Sequence, residues 1–191
     1  AERALSWASK GLVTVDVVPQ QQGWVAVVPA GPASAVAPPY DDPVAALLAR
    51  PVPRRLLPAI GVATVGPRLV LGLVPAVLRP RRRWLVWEPG AGLVRPGSLP
   101  AATIADLAAI ARHPQAREAL TRMLRDGRGD ADGLARDIFA TLELPGAGLL
   151  TDPPAADAPG VRRVEPSSKD VGRFERLVTE DRRWREEVSG S

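Results

Sequence analysis

Hydrophobic and polar positions follow two different rhythms along this chain: a period of two in the first half and a period of three to four after Pro96. Residues 1–10 (AERALSWASK) read as the end of a helix, with Leu5 near Trp7 and Gly11 as its stop. In residues 11–18 (GLVTVDVV), Val13, Val15 and Val17 fall on one face and Thr14 and Asp16 on the other, the pattern of a half-buried strand. The turn-forming run 19–23 (PQQQG) leads into a second strand at 24–28, so the pair predicts a β-hairpin. A Pro-, Ala- and Gly-rich loop covers 29–43. Its end, Asp41-Asp42-Pro43, predicts a helix start, because acidic residues suit the positive end of the dipole and Pro is tolerated in the first turn. That helix runs to Ala49 and stops before Pro51.

The middle of the chain is its most apolar part. Residues 60–65 predict a strand, and 69–78 fit either a strand or a buried helix, with Pro75 favouring two pieces. Residues 84–88 predict a strand with Trp84 and Val86 on one face and Leu85 and Trp87 on the other; Pro89 to Gly92 turn the chain, and 93–95 pair back. The run 56–78 is long enough to test as a membrane span, but Pro58, Pro67, Pro75 and the central Arg68 argue for protein core.

After Pro96 the period lengthens. Ser98-Leu99-Pro100 introduces a helix over 101–112 with a stripe of Ile104, Leu107, Ala108 and Ala111. His113-Pro114 breaks it. A second helix runs to Arg125 and ends at Gly127 to Gly129, and a third covers 132–144, with Leu134, Ile138 and Leu142 four apart and Phe139 beside them. From residue 145 the composition turns to Pro, Ala, Gly and Asp, with little to bury. Residues 170–188 predict a strongly charged helix carrying Phe174, Leu177, Val178 and Trp184 near one face. The expectation is an α+β fold: a small, mostly antiparallel N-terminal sheet, a C-terminal helical layer and a trailing charged helix. In domain terms, residues 1–150 form a single α+β domain, 151–169 a linker and 170–191 the C-terminal amphipathic helix.

Charge adds a second pattern. The 191-residue chain has a net charge of +4, yet residues 50–95 alone carry nine arginines against Glu88, a local +8. A field of that sign attracts phosphates, anionic lipid or an acidic protein; alternatively, the arginines flank core strands and keep their edges soluble. Arginine far outnumbers lysine, as in proteins from GC-rich bacterial genomes, so the choice of Arg over Lys carries little information. Cysteine is absent, which excludes thiolate catalysis and Cys-ligated metal within the sequence. The chain opens at Ala1 without Met, and we expect a cytoplasmic piece of a longer protein, membrane-associated through a segment upstream.

Motifs for chemistry are sparse. His113, the single histidine, lacks a G-x-S-x-G partner motif, and one His without Cys makes a zinc site improbable. Asp126 to Gly133 resembles a calcium loop but places Arg128 at a ligand position and Ala131 where glycine is needed, so its acids read as helix caps, as do Asp41 and Asp42. Gly90, Gly92 and Gly97 do not complete G-x-G-x-x-G, since Arg95 stands at the third position. The helices around His113 would offer Gln115, Arg117, Thr121, Arg122 and Arg125 as a helix-turn-helix, but the basic excess lies elsewhere, so a packed helical hairpin is favoured.

The best candidate is the run Arg79, Arg81, Arg82 and Arg83 beside Trp84 and Trp87. It predicts a partner-binding patch on a non-catalytic interaction module, with no cofactor and no metal. A protein partner leads; an anionic membrane surface and nucleic acid are the alternatives. An enzyme would instead need scattered groups such as Asp16, Glu88, Asp106 and Arg68 to converge in a polar pocket.

Overall fold

The computed structural model describes residues 2–8, 13–30, 44, 47–48, 51–97, 99–125, 127–169 and 172. The elements in chain order are α1 (Glu2–Ala8), β1 (Val15–Pro19), β2 (Val25–Pro29), β3 (Ala59–Val65), β4 (Arg68–Val74), β5 (Arg83–Glu88), β6 (Gly92–Val94), α2 (Ile104–Ile110), α3 (Arg117–Arg125), α4 (Ala131–Thr141) and β7 (Arg162–Val164). The fold is α+β. Its strands are shared between two antiparallel sheets, one ordered β2-β1-β7 and the other β3-β4-β5-β6. The expected start of a helix at Asp41 to Pro43 and the charged helix over 170–188 lie outside the described residues.

The four-stranded sheet is a meander of short connections. Gly66 and Pro67 form a two-residue link between β3 and β4, Gly66 with a positive φ of 58°, a conformation that glycine adopts without strain. One face of the sheet presents Leu69, Leu71, Leu73, Leu85 and Trp87, each almost completely buried. Leu107 and Ala108 of α2, Leu120 and Leu124 of α3, and Leu134, Ala135 and Ile138 of α4 close over it to form the main core. Alternation thus sorts β5 as expected into two faces, and the Leu85/Trp87 face is the inner one. At about 25 cal/mol per Å2 of apolar surface, each fully buried leucine here stabilises the fold by roughly 2 kcal/mol.

The opposite face of this sheet carries a notch. Gly61 and Gly72 are cross-strand partners, and the side chain of Leu48 lies where a Cβ on either would sit. The next residue back, Leu47, belongs instead to the second core, with Ala4, Ala8, Val13, Val15 and Val17. Two adjacent leucines therefore tie the two sheets together. The segment is held further by Arg82, whose Nη1 donates to the Leu48 carbonyl at 2.6 Å, and by Trp7, whose Nε1 donates to the Pro51 carbonyl at 3.1 Å.

The hairpin of β1 and β2 forms as the period-two pattern predicts. Its third strand comes from the stretch expected to be a connector. Arg162–Val164 pair antiparallel with β1, placing Arg163 directly opposite Asp16. Asp16 is buried at 2% exposure, and its two oxygens accept from Arg163 Nε at 2.9 Å and Nη2 at 2.8 Å. This fork-to-fork pairing satisfies a carboxylate that would otherwise be stranded in the interior. The carboxylate holds the Arg163 guanidinium above its ordinary pKa, through the hydrogen bond first.

Helix boundaries differ from expectation at the end of α4, which stops at Thr141 rather than 144, and at both ends of α2, which spans Ile104–Ile110. The helix expected from residue 101 begins at Ile104, because Pro100 to Ala102 are engaged with β5: Trp84 N–H donates to the Pro100 carbonyl at 2.8 Å, and Ala102 N–H to the Trp84 carbonyl at 2.7 Å. These bonds cover the stretch of β5 that the short strand β6 leaves open.

Filling the notch tests the joint between the sheets. Gly72→Ala should destabilise by about 1–3 kcal/mol in a urea melt, as overpacking does. The same change in a Leu48→Ala background should cost less, since the nearest occupant is gone and only the Trp84 ring, 3.0 Å from the new methyl, has to give. The buried ion pair gives a second test. Arg163→Ala should lower the melting temperature more than the double change Arg163→Ala with Asp16→Ala, because the single change leaves a buried charge unpaired.

Candidate functional site

The basic run lies at one end of the four-stranded sheet, in the loop 75–82 that joins β4 to β5. Prolines at both ends, Pro75 and Pro80, stop the strands and fix φ. Between them the chain leaves the core: Val77 is 53% and Leu78 75% exposed, the latter the most exposed large hydrophobic residue described. Arg54, from the single turn Arg54–Leu56 before β3, reaches across and donates from Nη2 to the Leu78 carbonyl at 2.9 Å. The loop is thus braced through its backbone while the Val77 and Leu78 side chains stay exposed.

The predicted residues separate into three groups. Arg79 and Arg81 are exposed and make no hydrogen bond or ion pair with the described residues. Arg82 bonds the Leu48 carbonyl, which holds its position without neutralising its charge. Arg83 is neutralised: its Nη1 lies 2.8 Å from Asp106 Oδ1. Trp84 is half-buried, beside the Leu48 notch. Trp87 is fully buried in the main core, with Nε1 lacking a hydrogen-bond partner among the described residues, and so offers no face to a partner. The surface that the sequence places at Arg79 to Trp87 is therefore recentred on Val77, Leu78, Arg79 and Arg81, with Arg54 joining from a distant part of the chain. Val77 and Leu78 were hidden within an apolar run that reads as continuous core; the bracketing prolines were the available signal.

Asp106 has a second duty. It accepts from the Thr103 N–H and hydroxyl, each at 2.8 Å, while Thr103 Oγ1 accepts from the Asp106 N–H, a reciprocal cap at the start of α2. Burial alone would raise its pKa. The hydrogen bonds from Thr103 and then Arg83 outweigh that effect and hold the carboxyl below the ordinary aspartate value of 3.8. Behind this pair is a hollow of about 280 Å3 bordered by Val77, Arg83, Asp106 and Arg112. Arg112, at the end of α2, thus adds a further cation beside the loop.

Most of the remaining candidates are held in structural contacts; the side chains of Arg117, Arg122 and Arg125 make no hydrogen bond or ion pair with the described residues. His113 sits between Gln115, 3.0 Å from Nδ1, and Glu143, 3.7 Å from Nε2, bracing the turn between α2 and α3 against the end of α4. Thr121 bonds its own helix backbone at the Arg117 carbonyl. Asp130 caps α4 by accepting from the Gly133 N–H, and Asp132 accepts from the Thr64 hydroxyl. Gly90 lies against the exit of α3, its N–H donating to the Gly127 carbonyl. The described residues contain no group of His, Cys, Asp or Glu able to hold a metal ion.

The four groups considered for an enzyme do not converge. Asp16 is paired in the hairpin sheet, Arg68 with Glu88 at 3.1 Å at the far end of β5, and Asp106 with Arg83 at its near end. A larger, mainly apolar cleft of about 510 Å3 runs between β2 and β3, the outer strands of their sheets, and contains none of these four. No helix among the described residues is long and apolar enough to cross a membrane. Comparison with known protein families, curated proteins and solved structures finds no match to this chain.

The capping aspartate gives a pH-dependent prediction. A carboxyl held below its unfolded pKa contributes stability that is complete above the unfolded value and is lost as pH falls through the folded one. Asp106→Asn should therefore flatten the acid limb of the stability curve below about pH 4. Thr103→Ala should cost about 1 kcal/mol at neutral pH, read from denaturant melts.

Proposed function

We propose that this protein is a non-catalytic interaction module that docks, through the loop 75–82 and its neighbouring arginines, onto a partner or surface of negative charge. The observation that carries the reading is the exposure of Val77 and Leu78 in a braced loop, next in sequence to Arg79 and Arg81, which no described carboxylate neutralises. Three further facts support it. Residues 44–87 contain no Asp or Glu, and of the arginines in that stretch only Arg68 and Arg83 pair with a carboxylate among the described residues, which leaves the loop's field positive. Arg54 and Arg82 spend their hydrogen bonds on carbonyl groups, which keeps their positive charge available. The carboxylates that an active site would need are each engaged in separate ion pairs.

Stacking of nucleic-acid bases loses support. It needs aromatic faces beside the cations, and Trp87 is inside the core while Trp84 is half-covered. The docking reading fits a cytoplasmic, membrane-proximal module within a longer protein, with scaffolding rather than turnover as its role.

Photocrosslinking in the native host tests this. A crosslinking amino acid at position 78 or 81 should yield adducts, with protein or with lipid, that one at Arg136 on the exposed side of α4 does not. Arg79→Glu with Arg81→Glu should abolish them while shifting stability by no more than about 0.5 kcal/mol, as expected for surface substitutions. An adduct pattern identical at all three positions, or unchanged by the double substitution, overturns the reading.

A further inference from the structure

The same loop has a chemistry more specific than charge. Arginines alone would serve any polyanion. What distinguishes this tip is an aliphatic pair, Val77 and Leu78, standing outward at 53% and 75% exposure. A sugar-phosphate backbone offers such side chains nothing to bury against. A flat acidic protein surface would have to supply an apolar pocket matched to a narrow projection. A bilayer supplies both complements at once, with anionic headgroups at the level of the guanidinium groups and acyl chains a few ångströms deeper.

The geometry is suited to that layered environment. The tip is short, rigidified by Pro75 and Pro80, and pinned by the Arg54 bond to the Leu78 carbonyl, so the aliphatic pair is presented without first being ordered. Arg79 and Arg81 follow it directly in sequence. Arg112 borders the hollow under Val77, widening the cationic ring beyond the loop itself. The nearby carboxylate, Asp106, is already paired with Arg83 and does not oppose an anionic surface.

We infer that loop 75–82 is a membrane-surface anchor that inserts Val77 and Leu78 into the headgroup region of an anionic phospholipid bilayer, with Arg54, Arg79, Arg81 and Arg112 engaging the lipid phosphates. This rests on the docking reading above and names its occupant.

Vesicles test it with the full 191-residue chain. The protein should co-sediment with vesicles of phosphatidylcholine containing phosphatidylglycerol and not with phosphatidylcholine alone, and added salt should release it. Arg79→Ala with Arg81→Ala should reduce partitioning roughly 30-fold, at about a factor of five per cation. Val77→Ser with Leu78→Ser keeps every charge and should still reduce it on the order of 10-fold. Leu78→Trp should show a blue-shifted emission quenched by brominated acyl chains, whereas Val65→Trp, at the opposite end of the sheet, should not. Equal binding to neutral vesicles, no effect of the serine pair, or no quenching at position 78 overturns the inference. So does tighter binding to a single-stranded oligonucleotide than to anionic vesicles. If vesicles fail but crosslinks from positions 78 and 81 reach a protein, the bilayer is wrong and the docking surface stands; if both fail, the surface itself is wrong.

Discussion

The burial of a single sheet face organises this molecule. Leu69, Leu71 and Leu73 on β4 and Leu85 and Trp87 on β5 form a continuous apolar plate that water must leave, and among the described residues the three helices that follow it supply the apolar surface that covers it. The features around this sheet derive from that burial. With the plate facing the helices, Gly61, Gly72 and Trp84 necessarily face the other way, creating the notch that receives Leu48. With Trp87 committed to the core, the arginines before it are carried to the strand's entrance, and the loop 75–82 is pushed clear of the packed body. The exposed tip is thus a product of core register: a one-residue slip in β5 would bury the Trp84 face instead and turn the run around.

The charge pattern is read differently once its partners are known. A net excess in sequence says nothing about which cations remain available. Here the structure divides them by partner type. Arg68 and Arg83 meet carboxylates, Arg54 and Arg82 meet carbonyls, and Arg79 and Arg81 meet neither among the described residues. Carbonyl partners fix the position of a guanidinium while leaving its charge intact, the combination on which the proposed docking surface would rely.

Much of the architecture was legible because its signals are local. The β1–β2 hairpin, the strands at 59–65 and 83–88, and the break at His113-Pro114 follow from period and turn chemistry within a few residues. What stayed hidden is non-local. Nothing in Arg162-Arg163-Val164, flanked by proline and glycine, announces a strand; its reason to pair lies at Asp16, 147 residues earlier. The start of α2 moved to Ile104 because Trp84, on another element, takes the hydrogen bonds of Pro100 to Ala102. In the proposed docking surface, the Arg run was visible, while the exposure of Val77 and Leu78 was not, since an aliphatic pair at the end of an apolar run looks the same whether it continues into the core or leaves it.

The late arrival of β7 has a consequence for synthesis on the ribosome. The four-stranded sheet and its helices are built from neighbours in sequence and can assemble as they emerge. The hairpin sheet cannot: β1 must wait until residue 163 is made before its buried carboxylate acquires a counter-charge. At about 5–20 residues per second, that interval is on the order of 10–30 s. Through that time β1 keeps the edge that β7 will cover open, beside an aspartate that still needs water, so the order of translation separates the maturation of the two sheets.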